Sequence, residues 1–340
     1  MLPLMLLALG AVPAPYAWHL PRGFPVPFVP ADNPMSAAKV ELGERLFYDP
    51  RLSITGRYSC ASCHSPARAF TDGRRVARGA TGAPLPRNAL TLVNVAYAVS
   101  YGWTDPRPRT LEQQMREPLL NRHPVELGAS GREARLLAVL RADRPDAALF
   151  AAAFPGDREP IHFANLIRAI AAFERTLISG DSPFDRYVFG GDEHALSASA
   201  KAGMDLFFST RAGCAGCHSG FNFSGSWRDA EGATGAPSFA SDGTTSAPLR
   251  VPTLRNVALT APYMHDGRYR TLDQVLDHYE RASGAGRIVL PDGRRLAPLG
   301  LAPRERHELI AFLESLTDPA FIRREIAARD ALNPLDRAPR

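Results

Sequence analysis

Two stretches of the chain repeat apolar residues at spacings of three and four. Residues 165–178 (NLIRAIAAFERTLI) and 304–316 (RERHELIAFLESL) each set a Phe four residues before a Leu: Phe173 with Leu177, and Phe312 with Leu316. That spacing places each pair on one face, so both segments are read as amphipathic helices. Two more helical patterns share the string Gly-x-x-Leu-Phe, at Gly43, Leu46 and Phe47 and at Gly203, Leu206 and Phe207. Thr-Leu-x-Asn-Val-Ala occurs at 91–96 (TLVNVA) and at 253–258 (TLRNVA), and a helix start follows each, at 109–114 (RTLEQQ) and 270–274 (RTLDQ). Elements recurring in one order mark an internal repeat. The prediction is an all-α chain of two tandem domains with long loops, residues 35–185 and 190–320.

The remaining stretches have no such period. Residues 18–34 are Pro-rich and read as an extended N-terminal segment, 179–195 as a linker, and 224–249 as a Gly/Ser/Ala/Thr-rich surface loop. The tail, 321–340, is expected to be helical to about Leu332. Residues 2–12 (LPLMLLALGAV) form an apolar run too short to span a bilayer as a helix. A signal peptide over 1–17 is the reading, with Trp18 starting the mature chain and the periplasm as destination. The run has no Lys or Arg before it, so an uncleaved anchor is the alternative. No later segment is apolar enough to span a membrane.

Composition agrees with two domains. A chain of 340 residues, at roughly 150 per domain, gives about two, and 45% apolar with 22% charged residues excludes disorder and collagen-like repeats. The 30 Pro fit long loops between helices. The net charge is +5, and 38 of the 40 basic residues are Arg. No block of five or more basic residues occurs, which argues against nucleic acid as a partner.

The four cysteines change the picture most. Cys60 and Cys63 precede His64, and Cys214 and Cys217 precede His218. Each set reads C-x-x-C-H, the signature of c-type haem attachment. The thiols would form thioethers to the haem vinyl groups, and the adjacent His would be the proximal iron ligand. Two disulfides or one zinc site would leave a His after both pairs unexplained. The two domains are therefore expected to be cytochrome c-like, with two covalently bound haem c groups.

The repeat lets the second ligand position be compared. Tyr279 lies eight residues after Thr271, and the residue eight after Thr110 is Pro118. Proline has no lone pair for iron; a deprotonated phenol has. The first haem is thus read as open and the second as capped by Tyr279, with Met264, His265 and His278 as rival ligands.

The chain resembles the bacterial di-haem cytochrome c peroxidase superfamily, specifically its MauG-like branch. The likeness is carried by 33–43 (NPMSAAKVELG), 59–64 (SCASCH), 69–73 (AFTDG), 251–267 (VPTLRNVALTAPYMHDG) and 278–281 (HYER). It spans nearly the whole mature chain. The strings NPMSAAKVELG and SPFDRY are similar to the MbnH subgroup, partners of a small periplasmic copper-binding protein.

The resemblance implies more than the spacing does. Peroxidases proper usually carry Met where Tyr279 stands, whereas MauG-like enzymes carry Tyr bound to the low-spin haem. Gln114 and Glu126 match the distal-pocket amide and acid of the first haem, and a carboxyl there can move a proton between the oxygens of peroxide. Trp103 matches a relay between the haems. Asn88, Thr260 and Pro262 match an inter-haem calcium site, for which oxygen ligands are suited. Peroxidases needing reductive activation carry a His ligand in the loop before Asn88; residues 79–87 (GATGAPLPR) hold none, so the first haem should be open from the start. The implied activity is peroxide-driven, long-range oxidation of a Trp or Tyr on a protein partner, and the MbnH likeness implies a copper-binding one. The rivals are a peroxidase drawing electrons from a small cytochrome or cupredoxin, and a non-enzymatic di-haem electron carrier.

Overall fold

The structure, a computed structural model, describes residues 16–235, 239–245, 248–290 and 292–332. The apolar segment read as the core of a signal peptide lies outside the described residues, as do the residues after Leu332. In chain order the helices of the first half are α1 (Ala37–Phe47), α2 (Leu111–Gln114), α3 (Arg116–Leu120), α4 (Glu133–Ala142), α5 (Arg144–Ala153) and α6 (Phe163–Glu174). They are followed by α7 (Pro183–Val188), α8 (Ala198–Phe208), α9 (Leu272–Gly284), α10 (Pro303–Glu314) and α11 (Pro319–Leu332).

Helix α1 packs on α6 and α8 packs on α10. Both crossings depend on the glycine of the repeated Gly-x-x-Leu-Phe string. A Cβ on Gly43 would lie 1.9 Å from the Ala169 carbonyl oxygen of α6, and one on Gly203 would lie 1.9 Å from the Glu308 carbonyl oxygen of α10. The Leu and Phe that follow fill the core, Leu46 and Phe47 in one half and Phe207 in the other.

The two closing helices run 163–174 and 303–314, ending before the apolar pattern does. After Glu174 the amides of Thr176 and Leu177 bond back to the carbonyls of Phe173 and Glu174, a tighter turn than an α-helix makes. Leu177 and Leu316 remain buried beyond the helix ends. Hydrophobic side chains gather in two main clusters. One contains Phe47, Phe70, Phe150 and Phe173; the other contains Phe207, Phe223, Phe312 and Leu316. Helix α11 inserts Phe321 into the first cluster, so the chain's last described helix belongs to that core.

Three segments differ from the sequence reading. The stretch 179–195, read as linker, contains α7: Ser182 caps it, Pro183 occupies its first turn, and Asp185 completes a capping box. Helices α4 and α5 had no counterpart in the repeat pattern. The stretch read as a loop near 224–249 carries sheet, so the chain is helix-rich rather than wholly α. There β1 (Ser226–Asp229) pairs antiparallel with β2 (Gly232–Gly235), and β3 (Phe239–Ala240) with β4 (Leu249–Arg250). The first turn is fixed by the Asp229 carboxylate, which accepts the Glu231 and Gly232 amides at 2.9 and 3.1 Å. No helix among the described residues is long and apolar enough to cross a membrane.

Candidate haem sites

Both C-x-x-C-H strings fold as a short 3-10 turn, Cys60–Ser62 and Cys214–Gly216, and all four cysteines are unpaired. His64 Nδ1 lies 2.9 Å from the Phe70 carbonyl, and His218 Nδ1 lies 3.0 Å from the Phe223 carbonyl. A carbonyl only accepts, so each Nδ1 carries the proton and each Nε2 keeps its lone pair. This is how a protein orients a metal-binding imidazole. Both phenylalanines reach this position through a left-handed backbone, φ 59° and 51°. The threonines of the repeated Thr-Leu-x-Asn-Val-Ala string support them. Thr91 donates to the Ala69 carbonyl and Thr253 to the Asn222 carbonyl, each at 2.6 Å and each to the residue just before the Phe. Burial lowers the pKa of both imidazoles, favouring the neutral, ligating form. Burial likewise pushes the Cys214 thiol up to about 12 and the Cys217 thiol to about 11.

A largely apolar cavity contains the second motif. Cys214, Cys217 and His218 line it together with Tyr279, Met264 and His265. Trp103, Asn88, Thr260 and Pro262 border the same cavity. The predicted relay and the three predicted calcium residues are therefore brought to the second motif. Burial raises the Tyr279 phenol above its ordinary pKa, with Asp242 and the two cysteines adding to the effect. Of the rival ligands, His278 has both ring nitrogens engaged, by the Asp242 carbonyl at 2.7 Å and the Tyr269 hydroxyl at 3.3 Å. His265 has Nδ1 on the Asp242 carboxylate at 3.2 Å. Met264 lines the cavity from a left-handed backbone, φ 71°.

The Trp103 indole N–H donates to the Asn88 carbonyl at 2.8 Å, and its ring meets His265 edge-on with centroids 6.3 Å apart. The Asn88 side-chain amide donates to the Arg74 carbonyl at 2.8 Å, which leaves its oxygen available to a cation. Among the described residues no cluster of three or more His, Cys, Asp or Glu could hold a metal ion. A calcium ion at Asn88, Thr260 and Pro262 would therefore rest on amide, hydroxyl or carbonyl oxygen.

At the first motif Glu126 lies near enough for its charge to act on both cysteines, and Pro118 and Gln114 are tied to the same stretch of chain. Backbone bonds fix that group: the Leu127 amide donates to the Pro118 carbonyl at 2.9 Å, and the Ala80 amide to the Glu126 carbonyl at 2.6 Å. The charge of Glu126 acts on both Cys60 and Cys63. Burial, then the neighbouring Glu117, pushes the Glu126 carboxyl up to about 7. Gln114 donates to the Glu117 carboxylate at 3.4 Å, while its own carbonyl oxygen is buried without a partner among the described residues.

Two residues at the second cavity were not singled out from sequence. Asp242 holds His265 through its carboxylate and His278 through its backbone carbonyl. Arg250 lines the cavity, bonds the Tyr101 carbonyl at 3.1 Å, and makes no ion pair among the described residues. Burial pushes its pKa down to about 10. Neither Asp242 nor Arg250 sits in a motif; only the folded chain brings them to the cavity. The set fits a haem: two thiols on a turn, an imidazole with a free Nε2, apolar walls of Leu276, Leu309 and Leu313, and an uncompensated guanidinium suited to a carboxylate substituent.

A model of the di-haem cytochrome c peroxidase family matches residues 37–194. The methylamine utilization protein MauG of Methylorubrum extorquens is 40% identical over 302 residues, covering 86% of this chain and 82% of that one. The chain belongs to the di-haem cytochrome c peroxidase family. Cytochrome c551 peroxidase of Pseudomonas aeruginosa is 34% identical over 298 residues, covering 84% of this chain and 80% of that one. The crystal structure of a MauG-like protein associated with microbial copper homeostasis matches with a TM-score of 0.83 at 38% identity, covering 90% of this chain and 97% of that one. Membership makes this chain a di-haem peroxidase, a peroxidase-type oxidoreductase with two haem c groups.

Proposed function

We propose that this di-haem peroxidase is a periplasmic MauG-like oxidase, built from two duplicated cytochrome c-like domains over 35–185 and 190–320. It would oxidise an aromatic side chain of a protein partner with hydrogen peroxide. Cys60, Cys63 and His64 would hold the first haem, and Cys214, Cys217, His218 and Tyr279 the second. The observation that carries this reading is the place of Tyr279, in one cavity with His218 and both cysteines. Its counterpart by spacing, Pro118, would offer iron no ligand, which would leave the first haem open to peroxide.

When bound, the haems supply iron for peroxide reduction and for storing oxidising equivalents. The protein's own contribution begins with Glu126. As a carboxylate it accepts a proton from the attacking peroxide oxygen and returns it to the departing one. Gln114, with its unpartnered carbonyl oxygen, would orient peroxide by accepting a hydrogen bond from its other O–H. Trp103 lies against the second cavity and would relay electrons between the two sites. Arg250 would neutralise a propionate, and Asn88, Thr260 and Pro262 would hold calcium.

The 38% identity to a MauG-like protein associated with copper homeostasis supports a small copper-binding protein as the partner. Met264 supports a second reading, since it lines the same cavity. A thioether ligand would favour Fe(II) and suit a peroxidase fed by a small electron donor.

The test uses the ferric holoprotein, hydrogen peroxide and a purified small periplasmic copper-binding protein, read by mass spectrometry. A peroxide-dependent mass change on one partner Trp or Tyr is expected. An unmodified partner, with peroxide consumed only when reduced cytochrome or cupredoxin is supplied, would establish the second reading instead.

A further inference from the structure

We propose that Tyr269 is a redox-active tyrosine, with His278 as its proton acceptor, through which an oxidising equivalent passes from the second haem site to the protein surface. This rests on the reading of Tyr279 as a haem ligand.

The proton arrangement follows from partner chemistry. His278 Nε2 lies 2.7 Å from the Asp242 backbone carbonyl, which can only accept. Nε2 of the neutral ring therefore carries the hydrogen, and Nδ1 carries the lone pair. Nδ1 lies 3.3 Å from the Tyr269 hydroxyl, so the phenol donates. A tyrosine bonded in this way can lose its electron and proton together and avoid a charged phenol radical.

The rings form a continuous path. Tyr279 lines the cavity of the second haem motif. Its ring centroid is 5.5 Å from that of His278, and the His278 centroid is 5.6 Å from that of Tyr269, with those last two planes inclined by 39°. Tyr269 is partly exposed and lies between the exposed Arg268 and Arg270. Its backbone is held by the Tyr263 amide, which donates to the Tyr269 carbonyl at 2.7 Å. The Arg268 side chain bonds Tyr269 and is itself paired with Asp266 at 2.8 Å. A phenylalanine would fill the same space; the hydroxyl adds the bonds to His278 and Arg268 and the capacity for oxidation.

The step balances. Hydrogen peroxide takes two electrons and two protons and leaves as two waters. The centre it oxidises draws one electron from Tyr269, whose O–H bond breaks as a new N–H bond forms at His278 Nδ1. The product is a neutral phenoxyl radical beside an imidazolium. An electron from a docked partner, with the proton returned from His278, restores the phenol.

The experiment mixes the ferric holoprotein with hydrogen peroxide, freezes it within the turnover time, and records EPR and optical spectra. Wild type should show haem oxidation and a tyrosyl radical. Tyr269→Phe should keep two haems and the ferric spectrum while losing the radical signal, and its oxidised haem spectrum should persist longer. Haem oxidation without a tyrosyl radical in wild type, or with the same radical in Tyr269→Phe, overturns the proposal and leaves the MauG-like reading standing. Failure of peroxide to oxidise either haem overturns both.

Discussion

Asn94 and Asn256 occupy equivalent places in the two halves, with left-handed φ of 56° and 58°. Their amides donate to the carbonyls of Leu177 and Leu316 at 2.8 and 3.0 Å, just past the closing helices. Their side-chain oxygens accept the amides of Ser179 and Asp318, both at 2.8 Å. The two asparagines also meet through Ser179. Asn94 donates to its carbonyl at 3.0 Å and Asn256 to its hydroxyl at 2.9 Å, and that hydroxyl donates to Asp318 at 3.2 Å. All four side chains are buried, so the network joins the two closing helices in a region that water does not reach.

Asn94→Ala should therefore destabilise the holoprotein by about 2–4 kcal/mol, because Ala tolerates a left-handed backbone less well than Asn and because buried amides are left without partners. Asn94→Gly should recover the backbone part only. Denaturant unfolding of the three proteins measures this, and equal stability of wild type and Asn94→Ala would remove the network from any structural role.

Gly203→Ala should cost about 1–3 kcal/mol, because its methyl would meet the Glu308 carbonyl and force α8 from α10. Gly284, with nothing within 4 Å of a built Cβ, supplies the control. Gly284→Ala should be close to neutral in the same unfolding measurement. A Gly203→Ala protein as stable as the control would mean that the helix crossing adjusts freely.

The raised Glu126 pKa sets a pH dependence. Below about 7 the carboxyl is protonated and cannot accept a proton from peroxide; above it the carboxylate can. The rate of peroxide reaction should rise with pH through about 7. Glu126→Gln should flatten that rise and slow the reaction about 10²-fold or more, the usual scale for losing an acid–base group. Glu117→Gln removes a neighbouring negative charge and should move the rise to lower pH. A stopped-flow pH series checks all three, and an unchanged rate in Glu126→Gln would leave the residue as a loop charge.

The two C-x-x-C-H strings were legible because their chemistry is local: the motif needs only five consecutive residues. The repeat was legible because Gly43, Gly203, Thr91, Thr253, Asn94 and Asn256 each meet a backbone demand that few other residues satisfy. Residues 224–249 read as a loop because the strands there are short and one of them Gly-rich, and the contacts that matter there are distant in sequence. Asp242 meets His265 and His278, and Arg250 meets Tyr101 and Trp103. Helix α5 did carry a signal, Asp143 as a cap and Pro145 in the first turn, whereas α4 has no side-chain cap, and neither has a partner in the repeat. The likeness to a known family, rather than spacing, singled out Gln114, Glu126 and Trp103, since each alone is an ordinary polar or core residue.

One haem open beyond His64 and one capped by Tyr279 should give the ferric holoprotein both a high-spin and a low-spin EPR signal. The most direct measurement compares that spectrum in wild type, Tyr279→Phe and Met264→Leu. Tyr279→Phe should lose the wild-type low-spin signal, and Met264→Leu should retain it. Loss of the low-spin signal in Met264→Leu, with Tyr279→Phe unchanged, would contradict the MauG-like assignment.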